Sequence, residues 1–267
     1  MEIEKWQALG NHFLLCERDR LPWLLTPPRA RMLCDPAVGL GADGVLELVL
    51  GASPHVTVIV HNADGSIAEV SGNGTRIAVA YAAAALGLRE LSVLAASAER
   101  ARVLDDGRVS VTLGRARLAG VQEDLAASSP GVDYRFVSLG NPHCVLSVDD
   151  PARFPLEREG PRLERHERFP DRANVEVFSV VDRHRVQMRV WERGVGETKA
   201  CGSGACAVAV AAIVGGSCET PVEVAMPGGS VEVAVSDDLA VTLTGVAERV
   251  YAASLDRALL NRLEAAE

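Results

Sequence analysis

Apolar and polar residues alternate in many short segments of this chain, and turn-forming residues separate the segments. A period of two with Gly, Asp, Asn or Pro at the ends is typical of a half-buried β-strand. The pattern predicts strands over residues 56–60, 91–94, 109–113, 186–190, 222–225, 231–235 and 239–243. Much of the fold is therefore expected to be antiparallel β-sheet.

Four other segments have the composition of helices. They cover residues 74–86, 205–214, a shorter stretch near 28–34, and an amphipathic tail over 255–265. The first two segments are apolar on nearly every face, which is typical of a helix that is enclosed by other structure. We expect an α+β fold in which curled, mostly antiparallel sheets surround two central helices.

The two enclosed helices start with related sequences, SGNGTRIAVA from Ser71 and CGSGACAVAV from Cys201. The offset of 130 residues between them continues along the chain. Without a gap, LGN at 9–11 matches LGN at 139–141, and VTL at 111–113 matches VTL at 241–243. Separate matches in one register are typical of a duplicated unit.

The repeat predicts two pseudo-symmetric halves with one fold and an active site in the cleft between them. We place the first half at 1–118 and the second at 119–247. The tail, 248–267, is expected to join the first half. Such halves of about 120 to 130 residues can each bury a core of their own.

Composition and charge exclude several classes of function. A formal net charge of -9 argues against nucleic acid or an anionic membrane as a partner, since both attract cationic proteins. The longest apolar run is well short of the ~20 residues that span a bilayer, and the first residues lack a secretory signal pattern. We expect a cytoplasmic protein with a small-molecule substrate.

The chain has six cysteines but no C-x-x-C pair and no zinc-like clustering, so we expect no metal site. Cys16, Cys34, Cys144 and Cys218 lie in or beside apolar segments and are expected to be small core residues. Cys201 differs because it precedes Gly-Ser-Gly at a predicted helix start. There the helix dipole and unpaired N–H groups are expected to lower the pKa of the thiol.

Two matched helix N-termini suit a small anion such as a carboxylate. If the pseudo-symmetry brings the two turns together, Ser71 and Cys201 lie on opposite sides of the bound molecule. One proton-transfer group on each face of a carbon is the arrangement for racemisation or epimerisation next to a carboxylate. Only two lysines are present, Lys5 and Lys199, and neither has a context typical of pyridoxal phosphate binding. We therefore expect a site without a cofactor.

Several motifs resemble those of the diaminopimelate epimerase family, whose enzymes of lysine and cell-wall precursor biosynthesis work without pyridoxal phosphate. The motifs extend over nearly the whole chain. They are ALGNHF (8–13), GLGADG (39–44), NADGS (62–66), SGNGTR (71–76), LGNPHCV (139–145), ERFPDRANV (167–175) and WERGVGETKACGSGACA (191–207). The resemblance implies conversion of LL- to meso-diaminopimelate by a homodimer.

The resemblance also implies the site residues. Cys201 and Ser71 would be the catalytic pair, with His143 and Glu192 tuning or orienting them. The implied substrate-binding residues are Asn11, Asn62, Gly72, Asn73, Asn141, Asn174, Glu192, Arg193, Gly202 and Ser203. Taken alone, each asparagine could be a turn residue and His143 a core histidine.

The sequence departs from the family at Ser71, where the family has cysteine. A hydroxyl is far less acidic than a thiol and needs an adjacent base to act. Three interpretations stay open: an epimerase that works through this serine, natural or introduced; a related racemase or hydroxyproline dehydratase; and a catalytically silent amino-acid binder.

Overall fold

The computed structural model describes residues 1–51, 54–68, 71–94, 100–119 and 133–266. The chain divides into two compact units. Unit 1 comprises Met1–Val111 together with Val246–Glu267, and unit 2 comprises Thr112–Gly245. Within the described residues, none of the helices has the length and apolar character required to cross a membrane.

β-Strands are the commonest regular structure among the described residues. The strands are β1 (Glu2–Ala8), β2 (Asn11–Glu17), β3 (Gly44–Leu50), β4 (His55–Asn62), β5 (Glu90–Leu94), β6 (Arg100–Val103), β7 (Val109–Arg115), β8 (Arg117–Ala119), β9 (Asp133–Ser138), β10 (Pro142–Ser147), β11 (Asn174–Asp182), β12 (Arg185–Glu192), β13 (Gly196–Thr198), β14 (Val222–Met226), β15 (Gly229–Val235), β16 (Ala240–Gly245) and β17 (Glu248–Ser254). All seven predicted strands are confirmed, at β4, β5, β7, β12, β14, β15 and β16.

The helices are α1 (Pro27–Cys34), α2 (Gly72–Leu86), α3 (Leu156–Glu164), α4 (Gly202–Val214) and α5 (Arg257–Ala265), with a 3-10 turn at Arg18–Arg20. The four predicted helices are confirmed as α1, α2, α4 and α5. Both enclosed helices begin earlier than predicted, at the first glycine of each Gly-rich turn. The sequence pattern did not predict α3, which contains Pro161 and several charged residues.

In unit 1 the strands are paired in the order β17-β1-β2-β3-β4-β5-β6, and the first part of β7 pairs with β6. The pairs β2–β3 and β4–β5 are parallel, and the others are antiparallel. Helix α2 packs on this sheet. Its residues from Gly72 to Val79 are buried, whereas its last turn is partly exposed.

In unit 2 the order is β8-β9-β10-β11-β12-β14-β15-β16, with the short β13 also paired to β12. Here the parallel pairs are β10–β11 and β12–β14. Helix α4 packs against these strands, and every residue from Gly202 to Ala212 is buried. The apolar composition of α4 on all faces therefore reflects a helix enclosed by its sheet.

The two units repeat one topology in one register. Phe13 pairs with Gly44 in unit 1, and His143 pairs with Asn174 in unit 2, so both partners are offset by 130 residues. The order of parallel and antiparallel pairs is also the same. The α+β class of two repeated, mostly antiparallel sheet-and-helix halves is confirmed.

Each unit also has an apolar cluster on the sheet face away from its enclosed helix. In unit 1, α1 and α5 cover this face with side chains such as Leu33 and Leu263. In unit 2, α3 does so with Leu156 and Leu163. Burial of each such leucine contributes roughly 1.5–3 kcal/mol to folding. These clusters hold the sheets on which the site residues lie.

Candidate active site

Ser71 and Cys201 are the N-cap residues of the two enclosed helices. Their backbones are extended, with φ/ψ of -140°/101° at Ser71 and -131°/115° at Cys201. The first intrahelical bonds are donated by the amides of Thr75 and Ala205, to the carbonyls of the two cap residues. The amides before them, at Gly72 and Gly202 among others, therefore have no acceptor within their helices.

The hydroxyl of Ser71 caps its helix. Its Oγ accepts a hydrogen bond of 3.0 Å from the Gly74 amide. Serine is among the preferred residues for this role, which stabilises a helix by about 1 kcal/mol. Ser71 thus has a structural function as the cap of α2.

A glycine at the third position of each helix allows a close approach to the sheet. A Cβ atom on Gly74 would lie 2.9 Å from Leu46 Cδ2, and one on Gly204 would lie 2.8 Å from Glu176 Oε1. Both helix starts therefore lie directly against the second strand of their parallel pairs. The contact is apolar in unit 1 and polar in unit 2.

In unit 1, Asn11 and Asn73 are hydrogen-bonded to each other, with Asn73 Nδ2 donating to Asn11 Oδ1 over 3.4 Å. Asn11 Nδ2 donates to Asp43 Oδ2 at 2.9 Å. Arg76, which is fully buried, donates to Asn73 Oδ1 at 2.8 Å. Sequence reasoning missed Asp43 and Arg76, although both lie in the motifs that carry the resemblance.

Asn62 has a different setting. Its side-chain amide donates to Ser66 Oγ at 2.9 Å within the turn that follows β4. This contact is the turn role that an asparagine commonly has. In the described structure, hydrogen bonds do not join Asn62 to the pair formed by Asn11 and Asn73.

Cys201 is buried in unit 2, with 6% of its surface exposed. Its Sγ lies 3.5 Å from Ser203 Oγ, and the carboxyl group of Glu192 acts on it through its charge. Burial raises the pKa of the Cys201 thiol, and the negative charges of Glu192 and Glu176 raise it further. Hydrogen bonds from Ser203 and the Gly204 amide act in the opposite direction but are weaker.

The prediction of a lowered pKa for Cys201 is therefore wrong. The helix terminus favours a thiolate, as expected, but desolvation and two nearby carboxylates outweigh it. Cys201 in the free protein is a neutral thiol at neutral pH. Once formed, a desolvated thiolate of this kind is a strong base.

Glu192 is the carboxyl partner of this thiol. Burial raises its pKa, whereas hydrogen bonds from Thr198 and Cys201 lower it. The net direction is upward, so the group is easier to protonate than an exposed glutamate. A carboxyl group with a raised pKa can accept the thiol proton and return it.

His143 and Asn141 are connected to the same helix start through Ser203. His143 is fully buried, with Nδ1 2.7 Å from Glu176 Oε1 and Nε2 3.0 Å from Asn141 Oδ1. Asn141 Nδ2 donates to Ser203 Oγ over 3.4 Å. One hydrogen-bonded chain thus joins Glu176 to the neighbour of the Cys201 thiol.

Asn174 and Arg193 are joined through the backbone. Asn174 Oδ1 accepts from the Arg193 amide at 2.9 Å, and Asn174 Nδ2 donates to the Pro142 carbonyl at 3.3 Å. The Arg193 side chain donates to the Asp171 carbonyl at 3.0 Å. Asn174 therefore fixes the loop that carries Arg193 beside the start of β10.

Two buried glutamates were missed by sequence reasoning. Glu164 accepts from Trp191 Nε1 at 2.8 Å and from the Gly194 amide at 3.0 Å, which holds the loop after Glu192. Glu176 supports His143 as described above. A signal for Glu176 was present, because a lone acidic residue interrupts the apolar run NVEVF of β11.

Within unit 1 the structure brings Asn11, Gly72 and Asn73 together beside Ser71. Within unit 2 it joins His143, Asn141, Ser203, Glu192 and Cys201 in one cluster, with Gly202 in the same helix start and Asn174 and Arg193 in the adjoining loops.

Comparison with known proteins gives consistent matches. The family model for diaminopimelate epimerase matches residues 135–250. Diaminopimelate epimerase 1 of Nostoc sp. is 37% identical over 96% of this chain and 99% of its own length. Diaminopimelate epimerase of Nostoc punctiforme is 38% identical, with the same coverage of both chains.

Solved structures share the fold at low identity. The structure of a protein from Pseudomonas aeruginosa, described as a predicted epimerase, has a TM-score of 0.72 and 18% identity. The match covers 95% of this chain and 98% of the other. At this identity the match supports the fold, and the matches to the full-length Nostoc enzymes identify the family. The chain belongs to the diaminopimelate epimerase family.

Proposed function

We propose that this protein converts LL-diaminopimelate to meso-diaminopimelate by proton transfer at one α-carbon, in the synthesis of lysine and peptidoglycan precursors. Two similar proteins named diaminopimelate epimerase support the reaction. The observation that carries the chemistry is the buried thiol of Cys201 at a helix N-terminus, where the charge of the Glu192 carboxyl group acts on it. The protein is therefore an isomerase in this proposal.

Proton removal would begin at Cys201. The Glu192 carboxylate takes the thiol proton, and the thiolate then removes the α-proton of the substrate. The electron pair of the broken C–H bond moves into the bond to the carboxylate, which gains negative charge. A thiolate with a raised pKa suits this step, because the α-proton of an amino acid is weakly acidic.

The helix starts would hold the substrate carboxylate during this step. Amides at Gly72, Asn73, Gly202 and Ser203 precede the first intrahelical donors and carry the positive ends of the helix dipoles. Donors aimed at developing negative charge stabilise the transition state more than the ground state. The proposal needs no pyridoxal phosphate, since the charge is stabilised by these groups.

Ser71 would return its hydroxyl proton from the opposite face of the same carbon and would regain a proton from solvent, while the Glu192 carboxyl group releases to solvent the proton that it took. The proposal requires that Ser71 and Cys201 act on one α-carbon. Because the Ser71 hydroxyl is less acidic than a thiol and caps α2, its step should be the slower one. His143 and Glu192 would orient the two groups.

The remaining polar side chains would recognise the rest of the substrate. Diaminopimelate carries a second amino group and a second carboxylate, which need acceptors and donors respectively. The side chains proposed for this task are Asn11, Asn62, Asn141, Asn174, Glu192 and Arg193. We further propose that the two repeated halves, 1–118 and 119–247, share this substrate, and that the protein is a cytoplasmic homodimer.

The reaction is tested by incubating the purified protein with LL-diaminopimelate in deuterated water. Appearance of meso product with deuterium at one α-carbon is the expected result. Exchange with retained configuration would show that Cys201 alone transfers the proton and that Ser71 takes no part. Binding without exchange would instead show a catalytically silent amino-acid binder and contradict the proposal.

A further inference from the structure

Glu176 lies beneath the helix start that carries Cys201. It is fully buried on β11, and its Oε1 contacts His143 Nδ1 at 2.7 Å. The same oxygen occupies the space that a Cβ on Gly204 would need. A buried carboxyl group is costly unless its partners compensate, so this position calls for a reason.

The repeat shows that the fold itself does not need this pair. The residues at the matched positions of unit 1 are Phe13 for His143 and Leu46 for Glu176, in strands paired in the same register. Phe13 and Leu46 are buried as well. Replacing a buried ionic pair by apolar residues is often neutral or stabilising. The polar pair in unit 2 is therefore explained better by chemistry than by packing.

The two contacts of the His143 ring require two protons. Asn141 Oδ1 is an acceptor, so the 3.0 Å contact places a proton on His143 Nε2. The contact between Nδ1 and Glu176 Oε1 needs a second proton, because a bare nitrogen and a carboxylate would repel. A proton shared between Glu176 Oε1 and Nδ1 thus keeps Nε2–H directed at Asn141.

The orientation continues to the thiol. With Oδ1 fixed by His143, the Asn141 side chain presents Nδ2 to Ser203 Oγ, which lies 3.5 Å from Cys201 Sγ. The ionisable groups that Glu176 influences here are His143, Cys144, Cys201 and Glu192. Its side chain can therefore act on Cys201 both by charge and through this chain.

We propose that Glu176 is a positioning residue for the reaction: it shares the second proton with Nδ1 of His143 and so fixes the amide of Asn141 and the hydroxyl of Ser203 beside Cys201. The proposal of a kinetic effect rests on the proposed epimerase function. The arrangement of protons does not, and it can be observed without substrate.

The proton arrangement is tested by nuclear magnetic resonance of the protein labelled with 15N at histidine. The wild type should show a proton on Nε2 of His143 and a second, strongly downfield proton from the contact between Nδ1 and Glu176. Glu176→Gln should lose the downfield proton, since a carboxamide cannot share it. A wild type without this proton, or a variant that retains it, would overturn the proposal.

The kinetic effect is tested with the same variant. Glu176→Gln should lower kcat about 10²-fold, as expected for a misplaced reacting group, with a smaller change in KM. A variant that keeps the wild-type kcat would contradict the positioning role. If the wild type itself does not exchange the α-hydrogen, the proposed function fails, whereas the resonance result still decides the proton arrangement.

A double variant that carries the unit 1 residues at both positions is the control for folding. The double variant His143→Phe/Glu176→Leu should unfold at a urea midpoint no lower than the wild type while losing epimerase activity. A large drop in the midpoint would show that the pair serves packing, against the proposal.

Discussion

Ser71 and Cys201 occupy the same backbone position in two copies of one fold, yet their side chains have different partners. Each is the N-cap of an enclosed helix. The Ser71 hydroxyl accepts from the Gly74 amide, whereas the Cys201 thiol lies 3.5 Å from Ser203 Oγ and is influenced by the charge of Glu192. One unit thus provides a thiol with a carboxyl partner, and the other provides a hydroxyl that caps its helix.

The first prediction concerns Ser71→Cys. A thiol is much more acidic than a hydroxyl, so proton return should speed up and epimerisation should rise roughly 10²-fold, within the range for general acid catalysis. The measurement is kcat for conversion of LL- to meso-diaminopimelate. Because cysteine is a poorer cap than serine, α2 should lose about 1 kcal/mol of stability.

Ser71→Ala is the control for this change. It removes both the cap and the acid, so it should lower stability by a similar amount and reduce epimerisation further. Equal activity in the serine, cysteine and alanine forms would remove residue 71 from the reaction.

The second prediction concerns Cys201→Ala. Loss of the thiol should abolish exchange of the substrate α-hydrogen with deuterated water, because the group that removes the proton is gone. Mass spectrometry of the recovered substrate measures this exchange. Cys206→Ala is the matched control, since Cys206 is a buried cysteine of the same helix, and it should keep the exchange. Exchange that survives in Cys201→Ala would require another base.

The third prediction concerns the pH dependence of the reaction. Burial raises the pKa of the Cys201 thiol, and the Glu192 carboxylate raises it further. Glu192→Gln removes that charge, so the thiol pKa should fall and the thiolate should form at lower pH. In the direction in which Cys201 gives the proton, the alkaline limb of the profile of kcat/KM against pH reports loss of that proton, so this limb should shift to lower pH.

Glu197→Gln is the matched control for this shift. Glu197 is an exposed carboxyl group in the neighbouring strand β13 and is paired with Arg189. Its replacement should leave the limb in place. A limb that stays unchanged in Glu192→Gln, or moves to higher pH, would show that Glu192 does not act on the thiol.

The fourth prediction concerns stability in acid. Burial alone would raise the pKa of Glu47, but hydrogen bonds from His61 at 2.9 Å and Arg18 at 2.6 Å lower it to about 2. A carboxyl group whose pKa is lowered by folding stabilises the protein above its ordinary pKa. That stability is lost as pH falls through the folded-state pKa.

Glu47→Gln should therefore lower the free energy of unfolding by about 2 kcal/mol near neutral pH, a value reduced for the solvent exposure of Arg18. The difference from the wild type should shrink as pH falls toward about 2. Urea unfolding at several pH values measures it. The exposed Glu2→Gln serves as control, and a difference that is independent of pH would contradict the assignment.

Much of the fold could be predicted from local pattern. The strands that were predicted from sequence, such as β4 and β15, bury one face, so apolar and polar residues alternate along them. Strands such as β3 and β11 contain runs of buried residues on both faces, so alternation is absent there. The repeat predicted the common topology because its register survives in the pairing of β2 with β3 and of β10 with β11.

The site could be predicted only in part. The helix-start residues Ser71 and Cys201 are visible because capping and Gly-rich turns are local features. The raised pKa of Cys201 could not be predicted, since it arises from burial and from carboxylates on β11 and β12 that are distant in sequence. The roles of Arg76 and Glu164 likewise depend on contacts that only the folded chain defines.

The central claim is that a sulfur acts on one face of the α-carbon and a hydroxyl on the other. Its most direct test is the initial rate of α-hydrogen exchange in deuterated water, measured separately with LL- and meso-diaminopimelate. The account predicts fast exchange for the isomer whose C–H bond meets Cys201 and much slower exchange for the isomer that meets Ser71. Equal rates for the two isomers, or no exchange with either, would contradict it.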